Sequence, residues 1–299
     1  MFILDILKLV FGEENGAAHF KYLRNKNEGG KNNAKGNTFE NFFAVFVIAQ
    51  FFNQNADGEG TLFSSQVIAF VDDFVVKQVK ENTEYCFQIK DVVELYWQGG
   101  KHELRDDFRN QNEISSKLGV TSNLRLVVSK KSVYDHLVAN MPEEFSSFVK
   151  VIHFESASSM NNLIRTNPMM REELTKMCAL SNPSIDKLET LGTILLGSWD
   201  ASNKVDVPLG LLIDGSCRSN PHYIKGRSNV VSRKLSDIFK SIVGFSYRVE
   251  NGFIKWEYYD TDSGVVQYAI GSSGFEQWEN DVFNNEIKSF EDLESFLSA

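Results

Sequence analysis

Polar and apolar positions alternate with a period of two along Glu84-Tyr85-Cys86-Phe87-Gln88-Ile89-Lys90. This predicts a strand with Cys86, Gln88 and Lys90 on one face and Tyr85, Phe87 and Ile89 on the other. Upstream, residues 66 to 76 are apolar apart from Gln66 and two central carboxylates, Asp72 and Asp73. A charge in an apolar strand interior is costly without a partner or an ion. Fourteen residues, 74 to 87, lie between Asp73 and Gln88. That is enough for one strand, a turn at Glu81-Asn82-Thr83 and the returning strand, so Asp73 and Gln88 are expected to be cross-strand neighbours.

The same patterning predicts a helix at about 38 to 52, strands at about 64 to 70, 73 to 79 and 84 to 90, a helix at about 103 to 118 and a strand at 124 to 129. The later helix carries an apolar stripe of Leu104, Phe108, Ile114 and Leu118, with Arg105 and Arg109 one turn apart on a more exposed flank. Gln111 falls near the stripe and suits a hydrogen bond to the sheet. A helix at 132 to 139, a strand at 148 to 154 and a helix at 158 to 165 extend the α/β pattern. Asn167-Pro168 and Ser181-Asn182-Pro183 then punctuate a helical stretch, with Pro183 placed early in a helix ahead of Leu188, Leu191 and Leu195.

From Phe245 a meander is expected. Phe245 to Glu250 and Phe253 to Tyr259 flank Asn251-Gly252, a type I′ hairpin signal, and Val265 to Ile270 reads as a third strand before helices at about 274 to 286 and 289 to 298. The first dozen residues form a short apolar helix, too short to cross a bilayer and without a signal-peptide pattern. Packing on the body or across a subunit interface is its expected role. Asp57-Gly58-Glu59-Gly60 reads as a turn and not as a calcium loop.

Composition changes the picture only in part. The 299 residues, 42% hydrophobic with 24 phenylalanines, allow a sizeable core and one large or two ordinary domains. Three cysteines without a CxxC pair suit neither a disulfide framework nor a zinc site, and point to a reducing cytoplasm. His19, His102, His136, His153 and His222 have no metal-ligand spacing, and no Gly-x-Ser-x-Gly motif is present. The net charge of −9 is awkward for a nucleic-acid partner, but local surfaces decide binding. Two basic runs exist: Lys21, Arg24, Lys26, Lys31 and Lys35 in a Gly/Asn-rich setting, and Arg218 to Lys240. Each also suits a solvated face. The balancing acid lies at 276 to 299, with seven carboxylates against one lysine.

Taken in order, Glu40, Asp73 and Gln88-Ile89-Lys90, within an α-β-β-β-α-β succession, resemble the PD-(D/E)XK nuclease superfamily. More narrowly, Gly29-Gly30 and Gly36 before the Glu40 helix, then Ala69-Phe70-Val71-Asp72-Asp73 and Phe87-Gln88-Ile89-Lys90, resemble the double-stranded-DNA nuclease effector domains of bacterial anti-phage systems. The resemblance spans roughly residues 29 to 130. It implies a restriction-endonuclease-like mixed α/β sheet flanked by helices in a nuclease-like domain over 1 to 165. A smaller α+β region over 166 to 299 would then serve as a partner or sensing module.

It further implies a catalytic set of Asp73, Gln88, Lys90 and Glu40. Magnesium or manganese would be held by Asp73, Gln88, the Ile89 carbonyl and Glu40, with Lys90 positioning water. Gln88 replaces the commoner carboxylate, and its neutral oxygen binds hard cations less strongly. Adjacent strand residues face opposite sides, and Asp73 is preferred over Asp72 as the ligand. Glu40 equally suits an N-terminal acid that complements the helix dipole. Lys31, Lys35, Arg105 and Arg109 are the candidate DNA contacts. The function implied is a metal-dependent DNA endonuclease, a hydrolase of antiviral defence acting on double-stranded DNA in the cytoplasm. A protein partner would engage the C-terminal region, and homo-oligomerisation is left open. A catalytically silent nuclease-fold subunit and an RNA nuclease are the alternatives.

Overall fold

The run from Phe39 to Phe51 is apolar apart from Glu40, Asn41 and Gln50, so the helix it forms must be enclosed over most of its surface. In the computed structural model, which describes residues 3–31, 34–54, 60–99, 103–219, 223–226 and 228–297, that helix is the centre of the molecule. Phe43, Val45, Val47, Ile48 and Ala49 are at most 1% exposed. The side chains of residues 29–31, 34–37 and 219 lie outside the description, as do the expected turn at 57 to 59 and His102 and His222.

The elements follow in order: α1 (Ile3–Phe11), α2 (Glu13–Lys31), α3 (Ala34–Gln54), β1 (Thr61–Ser65), β2 (Phe74–Gln78), β3 (Thr83–Lys90), α4 (Leu104–Lys117), β4 (Thr121–Val128), α5 (Lys131–Ala139) and β5 (Val149–His153). After these come α6 (Met160–Thr166), α7 (Pro168–Met177), α8 (Ile185–Ala201), β6 (Val207–Pro208), α9 (Leu209–Ser219) and α10 (Arg233–Ser241). The chain closes with β7 (Phe245–Glu250), β8 (Phe253–Tyr258), β9 (Asp262–Val265), α11 (Ser273–Asn284) and α12 (Phe290–Leu297).

The fold is mixed α/β. A six-stranded sheet runs in the order β5-β4-β3-β2-β1-β6, with β1, β2 and β3 antiparallel, β4 and β5 parallel to β3, and β6 antiparallel on the β1 edge. The alternation read along residues 84 to 90 holds: Phe87 and Ile89 pack under α3, while Cys86 joins Phe108, Leu124 and Leu126 on the other face. Helices α4 and α5 cover that second face, and α7 and α8 pack behind α3.

Four expectations are corrected. The apolar run 64 to 70 is not a strand, because β1 ends at Ser65 and Gln66 turns into a left-handed backbone, φ +52°. Residues 66–73 form a loop that buries Phe70 among the rings of Phe11, His19 and Tyr22. The Gly/Asn-rich basic run is largely helical and not a loop, since α2 covers it to Lys31 and α3 starts at Ala34. Pro183 lies just before α8, whose cap is Ser184. The third meander strand begins at Asp262, since Tyr259 and Asp260 make a tight left-handed turn. The chain leaves the ladder after Val265, and Val266 and Ile270 go into the core.

The expected boundary near residue 165 falls between α6 and α7, both of which contribute to the apolar cluster around α3. Residues 231–297 build a separate cluster on Leu235, Phe239, Trp256 and Phe290. The two meet at Gly226 and the β7–β8 turn, where Gly226 N donates to Asn251 O at 2.9 Å and Asn251 Nδ2 donates to Ala179 O at 2.7 Å. Gly252 has φ +79°, and a Cβ there would lie 2.3 Å from Gly226 Cα. Gly252→Ala is therefore expected to destabilise the protein by about 1 to 3 kcal/mol. A urea titration showing an unchanged midpoint would contradict this close approach.

Candidate active site

The antiparallel ladder between β2 and β3 stops at Phe74↔Phe87, one step short of Asp73 and Gln88. Asp73 has left the strand, so its carboxylate can turn onto the end of β3. Its Oδ2 accepts from the Ile89 backbone N–H at 2.7 Å, from Lys90 Nζ at 3.2 Å and from Gln88 Nε2. The sequence-derived pairing of Asp73 with Gln88-Ile89-Lys90 is thus a short-range contact in the fold. Strand geometry turns the Ile89 carbonyl to the same side as its N–H.

Glu40 enters from the first half of α3. It does not touch Asp73 directly: Gln66 Nε2 lies between them, 2.8 Å from Glu40 Oε2 and 3.5 Å from Asp73 Oδ1. The left-handed turn at Gln66 aims this amide. The Gln66 backbone is held by Asp73 O accepting from its N–H at 3.2 Å and by Asn27 Nδ2 donating to its carbonyl.

Asp72 points the other way and meets a residue that sequence reasoning placed on a basic surface. Lys26, from α2, brings Nζ to 3.1 Å from both Asp72 Oδ1 and Asp107 Oδ2. The same ammonium donates to Gln88 Oε1 at 3.0 Å and to Phe70 O at 2.5 Å. The contact with Asp72 Oδ1 is ionic, off the angle of a hydrogen bond. Tyr22 OH, one turn earlier, donates to the Asp107 carboxylate at 3.1 Å. Gln111, next on the Asp107 face of α4, accepts from Phe70 N–H at 3.1 Å, so its expected bond to the sheet goes instead to the 66–73 loop.

Burial sets the electrostatics. Asp72, Asp73 and Gln88 are 2%, 6% and 1% exposed. Burial pushes the Asp72 carboxyl up to about 6, against the pull of Lys26 and with the repulsion of Asp73. Burial and the Asp73 carboxylate push Glu40 up to about 7, partly offset by Gln66 and Lys90. Asp107 is also raised by burial. Burial works against the charge of Lys26, yet Asp72 and Asp107 outweigh it and hold the ammonium above its usual range.

A divalent cation fits some of these groups and not others. Among the described residues no three His, Cys, Asp or Glu side chains converge as ligands. However, Glu40 and Asp73 Oδ1 face one shared amide donor, Gln66 Nε2, and a hard cation could satisfy two such carboxylates in its place, with a carbonyl as further oxygen. Gln88 does not fit as oriented, because Lys26 claims its oxygen and leaves the NH2 group turned to Asp73.

Two of the expected DNA contacts are engaged in surface ion pairs. Arg105 and Arg109 both pair with Glu144, at 3.1 and 2.9 Å, and Arg109 also pairs with Asp106 at 3.0 Å. The side chains of Lys31 and Lys35 lie outside the described residues. Lys26, Tyr22, Asn27, Gln66 and Asp107 were not anticipated. Leu23, Lys26 and Asn27 share one face of α2 at i, i+3, i+4 spacing, and the fold turns that face inward. The chain matches no family model, no curated protein and no solved structure.

Proposed function

We propose that the protein is a metal-dependent DNA endonuclease of the PD-(D/E)XK type, an effector of anti-phage defence working in the cytoplasm. A partner protein or ligand engaging the C-terminal region would regulate it. The observation that carries this reading is the contact of Asp73 with Gln88, Ile89 and Lys90 at one strand end, with Glu40 joined through Gln66. Magnesium or manganese, held by Asp73, Glu40 and the Ile89 carbonyl, would polarise the scissile phosphate and acidify a water.

The chain's own groups have distinct tasks in this reading. Lys90, about one-third exposed, is the cation at the mouth of the site and can donate to a phosphate oxygen or orient water. The Ile89 N–H and the Gln88 amide fix the Asp73 carboxylate. Lys26 fixes Gln88 in turn and balances Asp72 and Asp107.

A catalytically silent scaffold is the second reading, favoured by the orientation of Gln88 and by the enclosure of the carboxylates. No described helix is long and apolar enough to cross a membrane. Cleavage of supercoiled plasmid with magnesium or manganese at low salt is the test. Wild type is expected to nick the plasmid, and Asp73→Ala and Lys90→Ala to lose roughly a hundredfold or more in rate. Equal rates in folded wild type and Lys90→Ala would sink the nuclease reading. Inactivity of all three, persisting with co-purified partners, would favour the scaffold. Preference for RNA over duplex DNA in competition would change the substrate class.

A further inference from the structure

On the sheet face opposite Gln88, a cleft of about 620 Å³ opens between α3, the β3–β4–β5 strands and α5. That size is typical of small-molecule sites. Its wall contains Arg125, Lys131, Lys150 and His153 and no carboxylate, although the whole chain carries 40 acidic residues against 31 basic ones. Arg125 and Lys150 are direct partners on adjacent parallel strands. Like charges side by side on one sheet face repel, and an anion between them would relieve that repulsion.

No acid intervenes here. The Arg125 guanidinium is half-buried and makes only local bonds, to Leu124 O at 3.2 Å and Asn123 Oδ1 at 3.3 Å. Among the described residues no carboxylate lies within ion-pair distance of Arg125 or Lys150; Lys131 alone in the cleft is paired, with Asp135 at 2.6 Å. Burial depresses the charged form of Arg125, a further cost without a compensating anion. A guanidinium with free donors is suited to bidentate contact with phosphate oxygens. The wall also carries aromatic rings, Phe46, Tyr85 and Tyr134, beside Val47, Ile152 and Met169, and Lys131 Nζ already lies 4.5 Å over the Tyr134 ring, so a base would stack chiefly on Tyr85.

We propose that this cleft binds a nucleoside phosphate, its phosphate on Arg125 and Lys150 and its base against Tyr85. The source is either a free nucleotide or the phosphorylated end of a nucleic-acid strand. Both present the same chemistry. The site is separate from the Asp73 centre: Tyr85 and Phe87, which line the cleft, alternate along β3 with Cys86 and Gln88.

Calorimetric titration of the full chain with AMP, ATP, a 5′-phosphorylated oligonucleotide and inorganic phosphate tests this without reference to cleavage. Wild type is expected to bind at least one nucleoside-containing probe at or below about 1 mM. Arg125→Gln and, separately, the exposed Lys150→Gln should each weaken binding about tenfold. Thermal melting of each variant establishes that it is folded, and Lys150→Gln, at an exposed position, serves should Arg125→Gln fail to fold. Binding of AMP or ATP would identify a free nucleotide, and binding of the oligonucleotide alone a strand end. The proposal is overturned if no probe binds, if inorganic phosphate binds as tightly as the nucleotides, or if both folded substitutions leave affinity unchanged.

Discussion

Replacing Lys26 with Met is expected to destabilise the protein by about 3 to 5 kcal/mol at pH 8. Methionine keeps the length and apolar stem of the side chain but removes its charge. Asp72, 2% exposed, and the buried Asp107 would then share an enclosed space without their cation. Gln88 Oε1 and the Phe70 carbonyl would lose a donor at the same time. The penalty arises from stranded groups and not from the worth of the ion pair, so removing a stranded carboxylate should recover part of it.

A double-mutant cycle of Lys26→Met with Asp72→Asn, read from urea midpoints, measures that recovery. The loss should also be smaller at pH 5 than at pH 8, because a carboxyl pushed up to about 6 can protonate when its cation is gone. A cost below about 1 kcal/mol at pH 8 would mean that water or another cation reaches Asp72 and that Lys26 does not plug the site.

The second large effect is a pH dependence centred on Glu40. Its ordinary value is 4.5, and burial with the neighbouring Asp73 raises it to about 7 in the folded chain. Between these values the folded state binds the proton that the unfolded state has released. Stability from this group is therefore fully present below about pH 4.5 and declines as pH rises through 7. A shift of this size corresponds to about 3 kcal/mol at most, and to less where water partly reaches the group.

Glu40→Gln retains an oxygen to accept from Gln66 Nε2 and removes the titration. In metal-free buffer with chelator, the variant should match wild type in stability near pH 4.5 and exceed it by roughly 2 kcal/mol at pH 8. Parallel stability curves for the two proteins across that range would show that Glu40 is solvated and ordinary. Asp72 contributes with the same sign between 3.8 and about 6. The comparison of wild type with Glu40→Gln separates the two.

The parts of this molecule that were legible in its residues are those governed by short-range geometry. Period-two alternation assigned both faces of β3, and the count of residues between Asp73 and Gln88 implied a hairpin whose ends meet. Asn251 and Gly252, at φ +54° and +79°, make the turn their types favour. The largely apolar run from Phe39 to Phe51 announced a helix. In each case a side chain's surroundings follow from neighbours a few positions away, or from a partner strand whose register one turn sets.

What escaped was decided across long separations. Lys26 reaches Gln88 and Asp107, 62 and 81 positions away, because α2 folds back over the 66–73 loop. Nothing in the local charge pattern around Lys26 distinguishes a buried ammonium from a solvated one; only the three acceptors brought by other elements do. Gln66 left the expected strand for a left-handed turn whose amide links Glu40 to Asp73, overriding the apolar run that follows it. Arg125 and Lys150 became neighbours through strand pairing alone. Local periodicity thus assigned elements and their faces, while the company each polar group keeps depended on how those elements pack, since desolvation and Coulomb energies act through space and not along the chain.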